Sequence, residues 1–93
     1  MIFKILRSFD RGSAVFRLSG RMESEHLSEL QTIIRSETCH VVLDLTEVKL
    51  VDRDSIEFLA RCETDGIKLT NCPAYIREWI LNERARKTLE SHR

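Results

Sequence analysis

Apolar residues recur along this chain at two different spacings, and the switches between them mark its elements. Ile2, Phe3, Ile5, Leu6 and Phe9 form a first strand, ended by the turn-forming Asp10-Arg11-Gly12-Ser13. Ala14 to Leu18 (AVFRL) is a second strand, closed by Ser19-Gly20. The short turn between them predicts an antiparallel hairpin. Ser24 is the expected N-cap of a first helix, with Glu25 in its first turn. Leu27, Leu30, Ile33 and Ile34 then recur at helical spacing and leave Glu29, Gln31 and Arg35 outward. Val41 to Leu45 is an apolar run broken by Asp44, which suits a strand covered on both faces.

The second half repeats the alternation. Asp52 is the expected N-cap of a second helix with apolar positions Ile56, Leu59 and Ala60, flanked by Phe58 and Cys62. Asp65-Gly66 ends it, and Ile67 to Leu69 forms a fourth strand. Pro73 sits where a last helix begins, and Ile76, Trp79 and Ile80 give that helix its buried stripe. Trp79 and Tyr75 read as core and rim, with a partner surface as the alternative. Beyond Asn82 the pattern thins to NERARKTLESHR, read as a charged, exposed extension that frays at its end. Two strand–helix–strand units require parallel neighbours joined by right-handed crossovers, and the hairpin adds an antiparallel member. The expectation is a single α/β domain over residues 1–93, with a mixed four- to five-stranded sheet and three main helices.

Composition narrows the function. The chain has 93 residues, enough for one core but not for a core plus a separate catalytic domain. Its 15 basic and 15 acidic residues give a formal net charge of zero, which argues against nucleic acid as a partner. The basic Arg84, Arg86, Lys87 and Arg93 are interleaved with Glu83 and Glu90, as on a solvated helix face. No window has the ~18 apolar residues that span a bilayer, and MIFKILRSF reads as a strand, not a signal peptide. A cytoplasmic location is expected. Cys39, Cys62 and Cys72 share no CxxC spacing and are expected as reduced, buried thiols. Cys39-His40 alone supplies too few ligands for a metal. No GxSxG turn and no Gly-rich phosphate loop is present. The expectation is therefore no enzyme, no metal and no cofactor.

Three segments carry a family resemblance: LSGRME (Leu18–Glu23), VVLDLTEVKLVD ahead of the second helix, and KLTNCPAYIREWI leading into the last. In order and spacing they resemble a STAS domain, the module named for sulphate transporters and anti-sigma-factor antagonists. The resemblance runs from the first strand through Ile80. LSGRME is similar to the family's Leu-x-Gly-x-hydrophobic-Asp, with Glu23 in the acidic place. Phosphorylated members carry Asp-Ser-Ser/Thr-Gly where this chain reads Asp52, Arg53, Asp54, Ser55. The resemblance thus puts Asp54 at the phosphoacceptor position, with Ser55 in place of glycine.

An acidic first turn is stabilised by the helix dipole by about 0.3–1 kcal/mol, so Asp52 and Asp54 are open to a purely structural reading. Asp54 is alternatively a fixed, partial imitation of phosphate, which carries more charge and a third acceptor oxygen. Arg53 is placed to pair with Asp54 or Glu57. Ser55 is the less favoured acceptor, because its hydroxyl points about 100° further round the helix. The resemblance implies a stand-alone antagonist-like protein that binds an anti-sigma factor or serine kinase. The contact set would be Glu23, Asp52, Arg53, Asp54, Ser55 and Glu57. The alternative it implies is an accessory subunit that binds the ATPase of a membrane lipid transporter. Asp44 on its strand reads either as an active carboxylate or as a strand-end acid bonded to loop amides.

Overall fold

A computed structural model describes residues 2–90, with side chains as far as Arg86. Seven elements follow one another: β1 (Lys4–Asp10), β2 (Ser13–Met22), α1 (Ser24–Arg35), β3 (His40–Val51), α2 (Arg53–Thr64), β4 (Lys68–Thr70) and α3 (Ala74–Glu90). The strands form one sheet in the order β1-β2-β3-β4. β1 runs antiparallel to β2, whereas β2/β3 and β3/β4 are parallel. This is the expected α/β fold with a mixed sheet and an N-terminal hairpin, and the sheet has four strands among the described residues.

The hairpin closes on Arg11 and Gly12, whose φ angles are 51° and 82°. Two left-handed central residues define a type I′ turn, whose twist matches that of the flanking strands. The pairing Arg7↔Phe16 and Ile5↔Leu18 puts Ile5, Arg7 and Phe9 on the same face as Phe16 and Leu18. The parallel pairs Ala14↔Val41 and Phe16↔Leu43 extend that face across β3. The β2-α1-β3 and β3-α2-β4 crossovers step in one direction along the sheet, and with the right-handed sense general to such units this lays α1 and α2 on one face. Ile56 and Leu59 of α2 and Ile76 and Ile80 of α3 join Phe16, Leu18, Leu43 and Leu45 in one core, all fully buried.

The opposite face carries Arg17, Val15 and Val42, and no helix among the described residues covers it. β3 is therefore not enclosed on both sides, contrary to the expectation from its apolar run. Asp44 lies on this open face yet is only 7% exposed, because its own hydrogen-bond partners cover it.

β2 does not end at Ser19-Gly20. It continues to Met22 alongside a longer β3, with register shifts at Arg17/Ser19 and Gly20/Arg21 that absorb the mismatch. Gly20 permits this: its φ is +91°, and a Cβ there would collide with the Ile2 carbonyl oxygen. The last helix also differs from expectation. α3 continues beyond Asn82 to Glu90, and Glu83 is 7% exposed. Arg84 reaches back to α2, donating to the Ala60 carbonyl and to Glu63. The basic-acidic alternation is thus partly a packing surface. Positions 91–93, where the expected fraying falls, lie outside the described residues, as do the side chains of Lys87 and Glu90.

Candidate functional site

The two extended strands β2 and β3 finish side by side, so α1 and α2 start side by side. Asp52 ties these starts together. Its Oδ1 accepts from the Ser55 amide at 2.9 Å, the expected N-cap of α2, and its Oδ2 accepts from the Ser24 amide at 2.9 Å. The Met22 carbonyl accepts from the Asp52 amide at 3.3 Å and from the Ser55 hydroxyl at 3.0 Å. Burial opposes ionisation of Asp52, but the bonds from Ser55 and Ser24 outweigh it and hold its carboxyl below the ordinary value.

Ser55 is fully buried with its hydroxyl bound to Met22. This removes Ser55 both as a phosphoacceptor and as a contact for a partner. The physical reason is its position on the inner side of the first turn, where a side-chain donor satisfies a strand-end carbonyl. A glycine there would leave that carbonyl without the hydroxyl. Asp54, one residue earlier, is exposed. Ser24 is the first residue of α1, and the N-cap is Glu23, not Ser24 as expected. The Glu23 amide donates to His26 Nδ1 at 3.2 Å, and the His26 ring stacks on Phe3 with centroids 4.6 Å apart.

Arg53 does not turn to Asp54. Its Nε lies 3.6 Å from Glu57 Oε2 and 3.7 Å from Glu83 Oε1. Glu83 also accepts from Arg86 at 2.6 Å. The Glu57 pairing was legible as an i,i+4 ion pair, but the Glu83 pairing was not anticipated. A signal for it existed, since Ile76, Ile80 and Glu83 are spaced by four and three and so share a helix face.

The predicted set thus divides. Asp52 and Ser55 are consumed in holding the two helix starts, and Glu23 caps α1. Arg53, Asp54 and Glu57 remain as the outward charged face, with Glu57 half-buried. A shallow depression of about 210 Å³ opens beside Asp52, lined by Arg21, Glu23, Leu50 and Val51. Leu50 is 47% exposed there.

Asp44 is the most strongly perturbed acid. Burial works against its charge, but the Thr46 hydroxyl (2.6 Å) and amide (3.0 Å), Asn71 (3.2 Å) and Arg17 (3.3 Å) hold its pKa at about 2. This is the strand-end acid bonded to a loop, and it braces Asn71, whose φ is 53°, at the exit of β4. The cysteines are free thiols, and burial pushes Cys62 up to about 12. Among the described residues no group of three or more His, Cys, Asp or Glu is placed to hold a metal ion. None of their helices is long and apolar enough to cross a membrane.

Compared with known proteins, the chain matches no family model and no curated protein at a significant level.

Proposed function

We propose that this protein is a non-enzymatic, cytoplasmic regulatory module of STAS type. On this reading it binds an anti-sigma factor or serine-kinase-type protein through the start of α2. The observation that carries the reading is the division within the first turn. Asp54 faces solvent at the position where phosphorylated relatives present a hydroxyl, while Ser55 is locked inside. Arg53, Asp54 and Glu57 supply the contact face, held rigid because Asp52 fixes both helix starts. Asp54 then acts as a permanent, partial substitute for phosphate, one charge against about −1.5 to −2. The protein would rest in the state of low affinity for its kinase.

The buried Ser55 hydroxyl equally favours a second reading. A partner that needs no phosphorylated hydroxyl, such as the cytoplasmic ATPase of a lipid transporter, would engage the same face. Affinity capture from the native host's lysate with wild-type and Asp54→Ser baits separates the two. A kinase-like ATPase regulator retained more strongly by Asp54→Ser supports the switch. Equal retention by both baits sinks the phosphate-imitation idea, and recovery of a transporter ATPase moves the protein to the second role.

A further inference from the structure

β1 is one edge of the sheet, paired with β2 on its inner side, and its outer backbone edge faces solvent. Sheet edges in soluble proteins are usually blunted by proline, a bulge or inward charge. β1 reads KILRSFD, has no proline, pairs without a register shift, exposes Leu6 by 66% and Phe9 by 61%, and carries one inward charge, Arg7, which Glu37 already neutralises. We propose that this edge pairs with β1 of a second copy, antiparallel about Arg7, so that two four-stranded sheets join into one.

The register follows from the sequence of the strand. Centred on Arg7, Lys4 of one copy faces Asp10 of the other, and Ile5 faces Phe9. Each pair occurs twice by symmetry. Centring on Leu6 or Ser8 instead would lose the Lys4–Asp10 pairing and set Ile5 or Phe9 against Arg7. Facing residues share a face of the sheet, so Ile5 and Phe9 meet on the helix-covered side. There a groove of about 370 Å³ runs between β1 and α1, lined by Phe3, Ile5, Phe16, His26 and Ile33 among others. The exposed Phe9 ring of the second copy, with its own Arg7 guanidinium 5.4 Å from its centroid, lies opposite Ile5 and covers the mouth of this groove. The two Arg7 side chains meet at the centre. Each is already bonded to Glu37 at 2.8 and 3.0 Å, so two neutral pairs approach rather than two bare cations.

Sedimentation equilibrium of the purified chain, from micromolar to millimolar, tests this. The expected result is a reversible dimer. Asp10→Lys sets two lysine pairs face to face, as Lys4→Asp sets two aspartate pairs, and each weakens the dimer roughly tenfold. The double exchange Lys4→Asp/Asp10→Lys restores it. Circular dichroism confirms that each variant is folded, and Lys4 lies at the far end of the strand from the hairpin turn. A monomer throughout, or single reversals without effect, overturns the proposal. So does a dimer abolished by Val15→Lys on the open sheet face but indifferent to the charge exchange.

Discussion

Arg11 occupies a conformation that its side chain disfavours. A φ of 51° in a type I′ turn suits asparagine or glycine, and a long cationic side chain gains nothing there from the turn itself. Gly12 already supplies the second position. Arg11→Asn would create the Asn-Gly pair that this turn prefers, and is expected to stabilise the fold by about 0.5–1 kcal/mol. A urea midpoint unchanged or lowered would show that Arg11 makes a compensating contact. The same residue scale explains Ser55. A hydroxyl one position after the expected acceptor was the less favoured acceptor for its direction round the helix, and its side chain completes the Met22 carbonyl. Linear spacing gave its direction round the helix, and only the neighbouring strand end decided what lay in that direction.

At the scale of elements, the strands and helices were legible because hydrophobic period and turn or cap signals pointed the same way, with the cap of α1 displaced by one residue from Ser24 to Glu23. Asp52 as N-cap, Asp65-Gly66 as terminator and the hairpin turn all stand where the pattern put them. The lengths of β2 and β3 were not legible, since Ser19-Gly20 is ordinarily a stop signal. Here it marks a close approach of the chain near Ile2, a long-range fact. The last turns of α3 were misread for a related reason: charge was taken as exposure. Glu83 continues the Ile76–Ile80 face and is buried with Arg53 and Arg86 around it. Its two partners are about half exposed and can be solvated alone, so Glu83→Ala should cost only about 1 kcal/mol. Glu83→Met should be neutral or stabilising, because an apolar side chain of similar length extends the stripe. Urea unfolding of the two variants checks this, and a larger loss for methionine than for alanine would contradict the packing.

On the scale of the whole molecule, the carboxylates set how the fold answers acid. Asp44, Asp52, Glu63 and Glu37 all titrate below their ordinary values, Glu63 and Glu37 through hydrogen bonds from Arg77 and Arg7. A carboxyl with a depressed folded pKa binds its proton more weakly in the folded than in the unfolded chain. Its contribution is therefore complete above the unfolded pKa and is lost as pH falls through the folded one. For Asp44 the window runs from the ordinary 3.8 down to about 2. That difference corresponds to about 2 kcal/mol, a substantial share of the stability of a small domain. Stability should thus be flat from neutral pH to about pH 4 on account of this group, then fall steeply towards pH 2. Asp44→Asn should unfold at lower urea near neutral pH and show a shallower decline across the window, so that the two curves converge near pH 2. Parallel curves from pH 4 to pH 2 would mean that Thr46, Asn71 and Arg17 do not hold the charge, and that Asp44 is buried without their support.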